Sequence, residues 1–227
     1  MSFYSGAKKV VSPLVKLLFR IKVKGLENVP AEGGYLVCPN HTSMLDVVAL
    51  GAAFNRLLNF MAKKELFKFK PFGALIRKLG AFPVDRGGAD VRAIRKAISV
   101  VGSGELVNIF PQGGRRKKID PSKTSVRGGV GMISYHAKCG AIPVFIKSKN
   151  NHLHMFGKTE IIIGKPIAYE ELGFENGGLR EYEKASMKVF AAACSLGGYE
   201  YPDEMPDDSD IVDKRTGKVI KKKRKKA

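Results

Sequence analysis

No stretch of about 18 consecutive apolar residues occurs in the 227-residue chain, so no transmembrane helix is expected. The start, Met1 to Gly25, has only short uncharged apolar runs and no small-residue cleavage site after them, and so does not read as a signal peptide. Cysteine is scarce. Cys38, Cys139 and Cys194 are an odd number without paired spacing, which argues against a disulfide framework and for a reducing cytosol. No Gly-x-Ser-x-Gly elbow is present, which removes the usual signature of a serine hydrolase, and Ser43 lies beside His41 without that turn. Histidine is equally sparse. His152 and His154 lack a nearby cysteine or acid pair, so they read as surface residues on a hairpin, and no metal is expected.

Acids are outnumbered. The net charge is +19. Lys214 to Ala227 hold nine Lys or Arg and no acid, and Pro202 to Asp213 hold six acids and no base, which leaves residues 1–201 at +16. A basic folded part favours anionic partners: phospholipid headgroups, nucleic acid or an acidic carrier protein. The apolar fraction of 44% is enough for a substantial core in one domain. Residues 1–24 read as a basic amphipathic segment, started or interrupted near Pro13, with Val10, Val11, Leu14, Leu17, Leu18 and Ile21 at helical spacing among lysines. Such a stripe either packs on the domain or lies in a headgroup layer. Residues 25–199 form the expected domain, and residues 200–227 an acidic-then-basic disordered tail.

Within the domain, strand-like and helical patterns alternate. Strands are expected at Tyr35–Cys38, Leu58–Ala62, Ala81–Val84, Leu106–Phe110, Ala141–Ile146 and Thr159–Ile163. Helices are expected near Leu45–Phe54, Glu65–Leu79, Asp90–Val101, Val130–Lys138 and Leu179–Leu196. This order predicts an α/β domain with a mostly parallel central sheet flanked by helices, whose ligand sites gather at the carboxyl ends of the strands.

Four strand ends carry candidate chemistry. After Tyr35–Cys38 comes Pro39-Asn40-His41-Thr42-Ser43-Met44-Leu45-Asp46, where Pro39 stops the strand and Thr42 or Ser43 can cap the next helix. Five positions on a regular helix turn about 500°, some 140° off one face, so His41 and Asp46 meet only if His41 lies in the turn and Asp46 in the first helical turn. The carboxylate would then accept the Nδ1 proton and leave Nε2 to act as base. A capping aspartate beside a surface histidine is the plainer reading of this fragment alone. Two further stretches, Gly80-Ala81-Phe82-Pro83-Val84-Asp85-Arg86 and Ile109-Phe110-Pro111-Gln112-Gly113-Gly114-Arg115-Arg116, end strands in arginine beside glycine, which suits a phosphate site and equally fits turn glycines beside solvated arginines. The fourth is the buried strand Gly140-Ala141-Ile142-Pro143-Val144.

In this order the four stretches resemble the four blocks of the glycerolipid acyltransferase family, over roughly residues 15–195. Asn40-His41 through Asp46 matches its His-x4-Asp block, Gly80 to Arg86 its second, Phe110 to Arg115 its third and Ala141 to Val144 its fourth. The resemblance implies transfer of a fatty acyl group from a thioester, acyl-CoA or acyl carrier protein, to the free hydroxyl of 1-acyl-glycerol-3-phosphate, with no other cofactor. His41 would be the general base and Asp46 its orienter. Arg86 and Arg115 would bind the acceptor phosphate, Gly113 and Gly114 shape the loop, and Arg127 assist. The family's usual Phe-Pro-Glu-Gly-Thr-Arg differs here at Gln112 and Gly114. Gln keeps an acceptor oxygen but loses the charge, which leaves another lyso-lipid acceptor open. The expected location is peripheral, on the cytoplasmic face of the membrane, with anionic lipid as partner. A basic nucleic-acid-binding protein is the rival class. The tail would hold any polyanion in a salt-dependent way, but no specific nucleic acid is expected, because the core carries no recognisable nucleic-acid motif.

Overall fold

The computed structural model describes residues 3–85 and 90–207. The expected basic tail and Arg86 lie outside the described residues. The first helix, α1 (Phe3–Leu18), runs through Pro13 without a break. It ends at a turn where Arg20 takes a left-handed φ of 44°. The chain then enters a short strand, β1 (Ile21–Lys24), which the sequence reading had continued as helix. The remaining elements follow the expected alternation: β2 (Tyr35–Pro39), α2 (Asp46–Ala53), β3 (Leu58–Lys63), α3 (Lys70–Lys78), β4 (Ala81–Val84), α4 (Val91–Gly102), β5 (Leu106–Asn108), α5 (Gly129–Ala137), β6 (Ala141–Ser148), β7 (Thr159–Ile163) and α6 (Leu179–Leu196). The long helix expected over Glu65–Leu79 is split into a 3-10 turn, Lys64–Phe67, and α3, whose first turn holds Pro71. Pro71 has no N–H to donate, and a first turn is where that costs least, whereas Pro13 lies inside α1.

The seven strands form one sheet in the order β1-β7-β6-β2-β5-β3-β4. Pairing is parallel except between β6 and β7, where Val144 opposes Ile163 and Ser148 opposes Thr159. Strands β2 to β6 therefore point one way, and β1 and β7 the other. Alternation along β2 divides the core. Val37 joins Val15, Phe19, Leu50 and Phe54 under α1 and α2. Leu36 and Cys38 join Ala97, Val100, Ile133 and Val189 under α4, α5 and α6. Both faces of the central strands are covered, which is why they read as continuous apolar runs.

The reversal of β1 and β7 has a functional consequence. The β6–β7 connection and the end of α1 come to the same edge as the carboxyl ends of β2, β3, β4 and β5. Phe156 donates its N–H to Leu18 O at 2.8 Å and so ties the two segments together there. Residue Tyr201 is also packed. It meets Phe190 edge-on and donates its hydroxyl to Thr124 O at 2.8 Å, so the ordered chain extends past residue 199.

Candidate active site

Strand β2 stops at Pro39, and Asn40 takes over its pairing. The Asn40 amide accepts from Ile146 N at 2.7 Å and donates to Ile146 O at 3.2 Å. A side chain thus mimics one more strand residue and frees the backbone to turn. His41 sits in that turn and Asp46 begins α2, as the pair required. His41 Nδ1 and Asp46 Oδ2 are 2.8 Å apart. Both residues are buried.

The carboxylate is fixed by more than the imidazole. Asp46 Oδ2 also accepts the backbone N–H groups of Thr42, at 2.7 Å, and Ser43, at 2.9 Å. The expected Ser43 hydroxyl accepts Leu45 N at 3.2 Å, and Asp46 adds the converse. The cap position is Leu45, with no side-chain cap bond, and the acid of the first turn gathers the amides that precede the helix. This geometry orients Asp46 independently of its partner and places a negative charge at a helix N-terminus, where it is favoured.

His41 is held from three further directions. Its ring stacks on Phe110, with centroids 3.7 Å apart and planes 15° from parallel. The carbonyl accepts from Arg116 N at 2.7 Å. The N–H donates to Gln112 Oε1 at 2.8 Å. Gln112 is itself buried and donates from Nε2 to Thr124 Oγ1 at 2.7 Å. None of these contacts was foreseen, because each joins residues from separate strand ends. With Nδ1 on the carboxylate, the arrangement suits proton transfer at Nε2.

The other expected residues are placed as follows. Gly113 takes a left-handed φ of 63°, and a Cβ there would lie 2.5 Å from the Arg127 side chain, so this glycine lets Arg127 cross the loop. Arg127 N donates to Pro111 O at 2.8 Å. Gly114 follows in the same loop, and both Arg115 and Arg127 are exposed. The segment holding Arg86 is bracketed by Asp90, whose carboxylate accepts from Asp85 N at 2.8 Å and caps α4 through Arg92 N and Ala93 N. Cys38 is buried, and desolvation raises its thiol pKa, the opposite of what a nucleophile needs. Among the described residues no group of three or more His, Cys, Asp or Glu is arranged to hold a metal.

A family model described as Acyltransferase matches residues 20–147 and so contains this dyad and the loop behind it. The chain belongs to the acyltransferase family. A curated relative from Bacillus subtilis, named 1-acyl-sn-glycerol-3-phosphate acyltransferase, is 34% identical over 73% of this chain and 81% of its own. A second of that name, from Streptococcus pneumoniae, is 37% identical over 50% of this chain and 41% of its own. The crystal structure of the 1-acyl-sn-glycerophosphate acyltransferase from Thermotoga maritima superposes with a TM-score of 0.62, covering 87% of this chain and 83% of its own at 24% identity, and shares the fold.

Proposed function

We propose that this acyltransferase moves a fatty acyl group from a thioester, acyl-CoA or acyl carrier protein, onto the free hydroxyl of 1-acyl-glycerol-3-phosphate, forming phosphatidic acid. The observation that carries this reading is the His41–Asp46 contact of 2.8 Å in a strand-end turn of an acyltransferase fold. The names of the relatives supply the acceptor class. His41 Nε2 removes the acceptor proton as its oxygen attacks the thioester carbonyl. The tetrahedral intermediate expels the thiolate, which takes the proton back from the imidazolium. Asp46 keeps the tautomer and offsets the positive charge between those two transfers, a role worth several orders of magnitude in comparable dyads. Arg86, Arg115 and Arg127 bind the acceptor phosphate in this reading, with Gly113 and Gly114 giving the loop its shape and Gln112 holding His41.

The same proposal seats the enzyme peripherally on the cytoplasmic face of the membrane. Among the described residues no helix is long and apolar enough to cross one. On α1, Val15 packs into the core, as does Phe19 just after the helix, while Leu14 and Leu17 are 62% and 76% exposed. At the same carboxyl edge, Met44 follows β2, Phe69 and Phe72 begin α3, and Met155 and Phe156 lie in the β6–β7 connection, all exposed. Lysines 16, 68, 70 and 158 flank them. Apolar side chains from four segments among bases, around a site that consumes a lipid, favour an anionic bilayer as partner.

The test incubates the purified full chain with acyl-CoA, or with acyl carrier protein thioester, and a panel of lyso-lipids while thiol release is followed. Release that depends on 1-acyl-glycerol-3-phosphate is expected. Thioester turnover with none of the lyso-lipids, or only with acceptors lacking a phosphate, would overturn the reading.

A further inference from the structure

Beside the dyad, at the carboxyl edge of the sheet, lies a basin of about 320 Å³ lined by Lys117, Lys118, Lys149, Asn150, His152 and His154. Its size falls within the roughly 300–1,000 Å³ typical of small-ligand sites. Three lysines and two imidazoles line it, and no acid does. None of the four sequence blocks contains these residues.

The basin is coupled to the dyad by short connections. Lys117 directly follows Arg116, whose N–H holds the His41 carbonyl at 2.7 Å. Thr42, which donates to Asp46, also accepts Leu153 N at Oγ1, 3.4 Å away. The two loops forming the walls are joined by Lys118 N to Asn151 O at 3.2 Å and by Asn151 Nδ2 to Ile119 O at 3.2 Å. They are also strained. Lys118, Asn150, Asn151 and Phe156 are four of the six described non-glycine residues with positive φ. Left-handed backbone is costly for Lys118 and Phe156, while asparagine adopts it readily, and such strain concentrates at working sites. Finally, the His152 ring reaches the turn of the dyad through a hydrogen bond to the Thr42 backbone.

We infer that this basin is a binding site for a phosphate ester carried by one of the enzyme's two substrates. Ammonium groups from two loops, with no carboxylate among them, repel one another until an anion enters. Phosphate oxygens accept from lysine as a point charge, and an imidazole N–H supplies a directed donor. The acceptor's glycerol phosphate and the phosphates of a CoA donor share this chemistry; the arginines of the proposed function already serve the acceptor, so the CoA phosphates are the source expected here. His152 senses the field directly. Its pKa is lowered first by burial and then by Lys117 and His154, while a backbone bond to Thr42 and the charge of Asp46 push the other way. The ligand class rests on the acyl-transfer reading, whereas anion binding itself does not.

Inorganic phosphate is the probe for binding, added to the full chain at constant ionic strength, with the four histidine ring signals followed by NMR. A saturable shift of His152 and His154 by about 10 mM, with His136 unmoved, is expected for a millimolar site. The titration of His152 should also move to higher pH as phosphate is added, because an anion favours the imidazolium. Both effects should vanish in Lys117→Gln/Lys118→Gln/Lys149→Gln, or weaken in Lys149→Gln alone if the triple variant does not fold. Kinetics then assign the source. In the variants the KM for 1-acyl-glycerol-3-phosphate, or that for acyl-CoA, rises about tenfold for each essential lysine lost, while kcat changes little. No shift of His152, equal shifts of His136, or both KM values within twofold of the parent would overturn the inference. Phosphate binding by a chain that fails to turn over any lyso-lipid would instead sink the acyl-transfer reading and leave the anion site standing.

Discussion

Gln112 holds His41 from behind: its Oε1 accepts the His41 backbone N–H at 2.8 Å, while its Nε2 donates to Thr124 Oγ1 at 2.7 Å. Thr124 Oγ1 donates onward to Pro121 O at 2.7 Å, so the amide orientation is fixed by the chain of donors. Where the resembling family usually has glutamate, this chain has a residue that both accepts and donates. Its task in this geometry is to position the turn. Gln112→Ala leaves a buried N–H unpaired and is expected to lower stability by about 1–3 kcal/mol. It should also lower kcat more than it raises KM. Gln112→Glu retains the acceptor, and Thr124 can turn its hydroxyl to donate to the carboxylate, since Pro121 O still accepts Thr124 N at 3.1 Å. Activity within about tenfold of the parent is therefore expected for Gln112→Glu, well short of the loss from removing a general base. Thermal melts and steady-state kinetics of both variants check this, and equal damage from the two would refute the positioning role.

The dyad itself makes a sharper demand. His41→Ala removes the base and should reduce turnover by about 10²–10⁴-fold with the fold retained. Asp46→Asn should cost a similar factor, because an amide nitrogen facing Nδ1 selects the wrong tautomer. It should also destabilise the protein, since Asp46 accepts the Thr42 and Ser43 amides as well as the ring. A charged acceptor replaced by a neutral one weakens each of those bonds. Thiol release measured beside a melting curve separates the two losses. An Asp46→Asn enzyme with full turnover would dismiss the orienter.

Much of this arrangement was legible beforehand. The spacing of His41 and Asp46 allowed contact only across a turn-to-helix boundary, and the strand before it was marked by Pro39. The alternation of apolar runs gave the order of strands and helices. What escaped were features with no local signature. Ile21 continues the helical spacing of α1, and the alternation of Ile21 and Val23 over four positions is too short to contradict it, so only the pairing with Thr159 to Ile162 reveals β1. The reversal of β7, the stacking of Phe110 on His41 and the clamp of Asn40 on Ile146 all depend on which strands are neighbours. Composition also could not tell whether α1 packs or stays exposed. It does both, with Val15 inward and Leu14 and Leu17 outward.

Burial of the cysteines sets an alkaline limit. Desolvation pushes the thiol of Cys139 up to about 11 and that of Cys194 up to about 12. Because the ordinary value is 9.0, the unfolded chain releases these protons first as pH rises. The folded state then binds more protons than the unfolded one, so stability falls with pH. The contribution is complete below pH 9 and is lost progressively between 9 and about 11 to 12. Denaturant midpoints should thus decline above pH 9, and a thiol reagent at pH 8 should modify the cysteines only at the rate of unfolding. Fast labelling of the native chain would show that the thiols are reachable.

The exposed apolar edge predicts how the enzyme meets its substrate. Leu17, Phe69 and Phe156 come from α1, the start of α3 and the β6–β7 connection, and each is about two-thirds or more exposed. Burying such a side chain is worth about 1.5–3 kcal/mol, and partial insertion into a headgroup layer recovers part of that. Leu17→Ser/Phe69→Ser/Phe156→Ser is therefore expected to lower partition onto vesicles containing anionic lipid by at least about tenfold, which corresponds to 1.4 kcal/mol. Turnover of a short-chain, monomeric acceptor should be unaffected, since none of the three side chains touches the dyad. Added salt should weaken binding of the parent through its lysines, and it should weaken the triple variant more, because charge is then its main remaining attachment. Unchanged vesicle binding by the triple variant, measured by co-sedimentation at two salt concentrations, would move the membrane contact away from this edge.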